Sequence, residues 1–185
     1  MARLPSPADT EAFSDETRAA VRHIQSTRGS MPPPSSYLTY AGKAGVLLSD
    51  LVEHLRYRTT LTDAEIELAI CTSVRAADVD FIWHAHVRLG LKAGVREQAI
   101  QAIDTFAPLD DLTADEALII GFGRELLEKR QVSDATFEAV KARYGEQGLM
   151  ELIAVMGVYQ MNATVLRALD HPAPPDARLL TPRKG

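Results

Sequence analysis

The chemistry in this sequence concentrates between positions 62 and 94, TDAEIELAICTSVRAADVDFIWHAHVRLGLKAG. In the first half, Glu67, Ile70, Cys71 and Val74 recur at i, i+3, i+4 and i+7, so Glu67 lies on the apolar stripe of a helix. A carboxylate on a buried face costs several kcal/mol unless it is paired or protonated. In the second half, Val79, Ile82, Trp83, His86, Leu89 and Gly90 form a similar stripe, and His86 is part of it. The short Ala77-Asp78 connection makes the two helices antiparallel neighbours. Glu67 stands about ten residues before that turn and His86 about eight after it, which places them at similar depth. A carboxylate on one nitrogen of an imidazole fixes the tautomer and raises the basicity of the other. The spacing therefore predicts a proton-transfer pair. The same two residues can also form a structural hydrogen bond with no chemistry.

The remaining polar residues are weighed against that pair. His84 points roughly 200° away from His86 around the helix and aligns with Asp80 and Arg88. It is either a second polar lining residue or a surface partner of Asp80. Trp83 either walls a pocket or fills the core. Arg75 and Arg88 are the candidates for binding substrate carboxylates, and both also read as solvated helix residues. Cys71 reads as a small buried hydrophobe, and a neighbouring carboxylate raises its pKa. His23 and His54 have no evident partner. No His, Asp or Glu set has the spacing of a metal site, and Gly121-Phe122-Gly123 sits in a helical pattern unlike a phosphate loop.

The elements that must hold these residues are helical almost throughout. Aromatic residues make up 6% of the 185 positions, and alternating β-branched runs are few. Residues 1–34 read as an arm and a first helix, capped by Ser14 and ended by Gly29, followed by the stiff run Met31 to Pro34. Residues 35–170 read as one helical domain. A short helix starts near Ser35 or Ser36, and a second over about 44–57 turns Val46, Leu47, Leu51, His54 and Leu55 inward. Further helices are expected over 63–76, 79–92, 95–106, 113–129, 133–144 and 149–169. Residues 171–185, with Pro172, Pro174 and Pro175, read as a flexible tail. The final helix is apolar on more than one face, through Leu149, Leu152, Ile153, Met156, Tyr159, Met161, Val165, Leu166 and Leu169. It must therefore be central or shared with another subunit, which predicts a homo-oligomer.

Composition bounds the function. Lys plus Arg is 20 and Asp plus Glu is 25, a net charge of −5, which argues against nucleic acid as a partner. A single cysteine excludes an internal disulfide and any dithiol site. No apolar run approaches the roughly 20 residues that span a bilayer, and Met1 to Pro5 lacks the apolar core of a signal peptide, so the expectation is a cytoplasmic protein with no membrane partner.

The pattern L-T-x-x-E-x-E-L-A-I over 61–70, followed by W-x-x-H-x-x-x-x-x-x-A-G-V over 83–95, resembles the carboxymuconolactone decarboxylase and alkylhydroperoxidase D-like family across about 44–125. The resemblance implies an all-α, alkylhydroperoxidase D-like fold around a central antiparallel helix hairpin, assembled as a trimer or hexamer. It also implies that Glu67 and His86 act in proton relay. The hydroperoxidase branch carries a Cys-x-x-Cys three residues before the histidine, where this chain has Val79 and Ile82. Without an attacking and a resolving thiol, peroxiredoxin-like activity is disfavoured. The resemblance is to the cysteine-free branch, a lyase that decarboxylates a lactone or related acid without a cofactor. There a histidine of pKa near 6.5 protonates the dienolate left by CO₂. A non-catalytic helical oligomer that binds a small ligand is the remaining alternative. It would show His86 sealed in the core with no cavity beside it.

Overall fold

The computed structural model describes residues 2–7, 14–29 and 31–183, and these are helical with no strand among them. The arm expected over 1–13 lies partly outside the described residues. Eight α-helices follow in order: α1 (Asp15–Arg28), α2 (Pro33–Leu38), α3 (Lys43–Tyr57), α4 (Asp63–Ala77), α5 (Asp80–Lys92), α6 (Glu97–Thr105), α7 (Ala114–Gly123) and α8 (Asp134–Ala168). A 3-10 turn (Thr39–Ala41) links α2 to α3, and a π-helix (Arg124–Lys129) prolongs α7.

The fold is organised around α4. Thr62 opens it with a capping box closed by Glu65, which satisfies two of the orphan donors of the first turn. Every residue from Ile66 to Arg75 is buried, because α8, α5, α7 and α6 pack around the helix. Full burial of an Ile or Leu side chain contributes about 1.5–3 kcal/mol. Ile66, Leu68 and Ile70 at 3%, 3% and 0% exposure therefore anchor the centre. Asp78, at φ 51, closes α4 in the left-handed region, and the chain turns back at once into α5. The hairpin 63–92 is thus central.

Gly145, at φ 68 and ψ 179, breaks α8 into the two segments that the Gly145 and Gly148 turn predicted. Its second segment carries a stretch apolar enough to cross a membrane by length and composition, and half of that stretch is buried. Here it packs against α4, α7, α2 and α3 of its own chain, with Leu149, Leu152, Met156, Tyr159 and Leu166 inside and Met161 48% exposed. Most of its apolar surface is therefore covered intramolecularly.

Two segments differ from expectation. Helix α2 begins at Pro33, inside the run read as a stiff linker. Proline fixes φ and lacks only an N–H that the first helical turn leaves unpaired anyway. In α3 the buried face is Gly45, Ser49, Val52 and Leu55, whereas Leu47 and Leu51 are 57% and 45% exposed. The rotation follows from contact with the preceding turn: the backbone of α3 at Gly45 comes so close that a Cβ there would sit 2.2 Å from the Leu38 carbonyl oxygen. That approach seats α2 on the bundle. Replacement of Gly45 by Ala is expected to cost about 1–3 kcal/mol of stability, because backbone must move. Urea unfolding measures it, and a loss under about 0.5 kcal/mol would show that α2 is not held by this contact.

Candidate functional site

Glu67 and His86 meet where α4 and α5 face each other. The His86 Nδ1–H donates to Glu67 Oε2 at 2.7 Å, and both side chains are buried, at 8% and 5% exposure. Glu67 Oε1 accepts a second hydrogen bond, from Arg56 Nη2 on α3, at 2.8 Å. One carboxylate thus bridges a guanidinium and an imidazole, each from a different helix. The ring of Tyr159, on α8, stands edge-on to His86 with centroids 4.9 Å apart.

With Nδ1 committed to Glu67, Nε2 is the nitrogen left for chemistry. It makes no hydrogen bond among the described residues, and His86 lines a cavity of about 90 Å³. Four helices converge on that space. Pro34 and Ser35 of α2 roof it, Val52 and Arg56 come from α3, Ile82 and His86 from α5, and Tyr159 and Asn162 from α8. Asn162 is 6% exposed, and its amide makes no hydrogen bond among the described residues. Arg56 also borders an outer pocket of about 320 Å³, lined with Glu67, Tyr57, Asp63 and Lys92, and so stands between the inner space and the outer one.

Burial is the largest influence on His86 and pushes its pKa below the ordinary 6.5. The hydrogen bond and charge of Glu67 act in the opposite direction, and the charge of Arg56 adds to the lowering. The resting imidazole is therefore neutral near pH 7, with an Nε2 lone pair that no described residue engages. That alters the sequence-based expectation of a resting general acid: the group is poised to accept a proton first. For Arg56, burial lowers the pKa, but the neighbouring Tyr159 and the Glu67 carboxylate outweigh it and the net shift is upward, so the guanidinium stays charged. Cys71 is fully buried, and burial, then the Glu67 charge, pushes its thiol well above the usual range. It is a core residue without nucleophilic character.

The other sequence candidates lie elsewhere. Trp83 is fully buried in the core, and its indole nitrogen has no partner. His84 Nδ1 accepts the backbone N–H of Arg178 at 3.0 Å and so holds the chain end; its expected neighbour Asp80 accepts from the Leu180 N–H at 2.8 Å. Arg75 is not a solvated helix residue but 3% exposed. It pairs with Asp78 and donates to the Thr181 carbonyl at 2.9 Å, two turns of α4 away from Glu67. Arg88 is exposed, and His23 has a partner in Asp50 at 2.9 Å. The segment after His171, expected as a flexible tail, lies along α5 and α6 as a strap. Its Thr181 N–H and hydroxyl bond to Asp104, and its Arg183 bonds to Glu128 and Asp78. Polar anchors on α4–α6 hold it where its proline-rich composition suggested none. Among the described residues no group of three or more His, Cys, Asp or Glu side chains could hold a metal ion.

Arg56, Tyr159 and Asn162 were missed in the sequence. The signal for Arg56 was its place in the i, i+3, i+4 series with Val52 and Leu55, a cation on an inward stripe.

No known family profile matches the sequence, and no curated protein matches it. Solved structures do share the fold. An uncharacterized peroxidase-related protein from Silicibacter sp. TM1040 superposes with a TM-score of 0.72 at 14% identity over 93% of each chain. The debrominase Bmp8, as a cysteine-to-alanine variant in complex with 2,3,4-tribromopyrrole, gives 0.68 at 12% identity over 90% of this chain and 89% of that one. Bmp8 without ligand gives 0.64 at 12% identity, covering 94% and 91%. The architecture is the alkylhydroperoxidase D-like helical fold.

Two outcomes follow from the electrostatics. The His86 ring, followed by NMR, is expected to titrate below 6.5. Arg56→Gln is expected to raise that midpoint by removing a neighbouring cation. Because the folded-state pKa is depressed, this histidine contributes stability that is fully present above pH 6.5 and is lost as pH falls through the folded midpoint. In His86→Gln that acid-side loss disappears. A wild-type midpoint at or above 6.5 would show that the Glu67 bond outweighs burial.

Proposed function

We propose that this protein catalyses cofactor-independent proton transfer on a small unsaturated lactone or related carboxylic acid, as a lyase or isomerase. One observation carries the reading: Glu67 occupies His86 Nδ1, Nε2 has no partner among the described residues, and His86 lines a cavity between four helices. Such a cavity is absent from the non-catalytic alternative. Nε2 takes a proton from an acidic C–H of the substrate, and the C–H electron pair moves into the conjugated carbonyl to form a dienolate. His86, now imidazolium, is stabilised by the Glu67 carboxylate at 2.7 Å. The proton returns to a different carbon in an isomerisation, or the electron pair expels a leaving group in an elimination. Neither course needs an oxidant or reductant. The charge of Arg56 and the amide of Asn162, both on the cavity, oppose the developing negative charge. That a fold relative, Bmp8, was solved with 2,3,4-tribromopyrrole supports a small flat substrate for this architecture.

Decarboxylation is the second reading. There His86 must be protonated before CO₂ leaves, so its rate falls as pH rises through the His86 midpoint, whereas the base-first rate rises and then levels. α-Angelica lactone in D₂O is a direct probe: NMR reads deuterium incorporation and the shift of the double bond. Exchange is expected to fall roughly 10²–10⁴-fold in His86→Gln. Glu67→Gln should show a kcat loss with little change in KM. Equal rates in wild type and His86→Gln across a panel of such lactones and acids would sink the proposal.

With Val79 and Ile82 in place of thiols and Cys71 buried, no dithiol-dependent consumption of an organic hydroperoxide is expected. Turnover that vanished in Cys71→Ser would overturn this. The same reading carries a homo-oligomer, a trimer or hexamer, with Leu47, Leu51, Met150 and Met161 among its exposed apolar residues. Light scattering at micromolar concentration tests it; a stable species of 20.2 kDa would refute it.

A further inference from the structure

A second cavity, of about 720 Å³, lies at the far end of α4 and is larger than the one beside His86. Arg75, which borders it, is eight residues beyond Glu67, about 12 Å along the helix axis. The π-helix forms one wall through Arg124, Glu128 and Lys129, and the strap forms another through Thr181, Pro182 and Arg183. Phe106 is also part of its lining. This residue ends α6 at φ 56, a conformation that a bulky side chain rarely adopts and that the surroundings must enforce. Its ring has Arg75, Arg183 and Arg124 guanidiniums at 4.7, 5.0 and 5.8 Å from the centroid, and the residue is still 36% exposed.

The lining holds four cations and two carboxylates, Asp104 and Glu128, and two further carboxylates stand beside it: Asp78 pairs with Arg75, and Glu125 with Lys129. Arg183 is matched by Glu128 and Asp78. Arg124 has no carboxylate bonded to it: its two terminal nitrogens donate to the carbonyls of Ala107 and Ala102. Arg75, already paired with Asp78, keeps an Nε without a partner among the described residues, which leaves Arg124 as the lining cation without a carboxylate. A π-helix is a strained arrangement that proteins retain mostly at functional sites, and here it brings Arg124, Glu128 and Lys129 to one rim.

We infer that this cavity binds a small organic monoanion, a carboxylate with a flat apolar body, at a site separate from His86. Each terminal nitrogen of Arg124 keeps a second N–H for a carboxylate, and the Phe106 ring, Pro182 and the arginine stems suit the apolar body. One cation without a carboxylate is too little for a polyphosphate. The volume falls within the range of ordinary small-molecule sites.

Calorimetric titration of the full chain with 2-naphthoate tests this, with neutral 2-naphthamide and inorganic phosphate as comparisons. One site is expected, with naphthoate at least roughly tenfold tighter than naphthamide and phosphate. Arg124→Gln should weaken naphthoate roughly tenfold, and the exposed Lys129→Gln, which does not threaten folding, about twofold to threefold. His86→Gln should leave the affinity within about twofold, which separates this site from the proposed catalytic one. No heat up to about 10 mM, equal affinity for naphthamide or phosphate, indifference to both substitutions, or loss in His86→Gln would each overturn the inference.

Discussion

A carboxylate in the middle of a helix that is buried on every side would ordinarily be intolerable. Glu67 is such a group, at 4% exposure on α4. It persists because α3 supplies Arg56 and α5 supplies the His86 N–H, one to each oxygen. To leave either a buried charge or a buried donor unmatched costs roughly 3–5 kcal/mol for a broken ion pair. The placement of the neighbouring helices is constrained accordingly. α3 must reach α4 at Arg56, and the tight backbone approach at Gly45 seats α2 beside it. α5 must return from the Asp78 turn with His86 in register.

The same burial that makes the bridge necessary also sets its chemistry. Desolvation and the charge of Arg56 lower the His86 pKa, Glu67 raises it, and desolvation is the largest influence. A neutral imidazole with one nitrogen committed and the other open is a base that waits for a proton. The same low-dielectric surroundings keep the Cys71 thiol protonated, one turn from Glu67. Two potentially reactive groups on one hairpin are thereby separated, one available and one inert.

Both ends of the described chain are drawn into the fold. Pro34 and Ser35 roof the His86 cavity from the N-terminal side. On the C-terminal side, Thr181 and Arg183 close over α4 and α6 and make one wall of the second cavity. The two cavities have no lining residue in common: Arg75 of α4 borders the second, whereas the first adjoins α4 only through Arg56 and His86, the partners of Glu67.

The helical periodicity, the Thr62 and Thr113 caps, the Gly145 break and the antiparallel hairpin were legible in the sequence because each depends on residues within one or two turns. The Glu67–His86 pairing was legible for a related reason: a short turn fixes the register of two helices, and equal distance from it brings side chains level. What lay beyond sequence reading was set by contacts between residues far apart in the chain. Arg56 joins Glu67 only because α3 is rotated by its approach to the turn before it, which turns Leu47 and Leu51 outward. Arg75 and His84 looked like site residues by spacing, yet the strap occupies both through Thr181 and Arg178. The protonation state of His86 was likewise decided by tertiary structure, since the desolvation that controls it comes from four helices that no local pattern brings together.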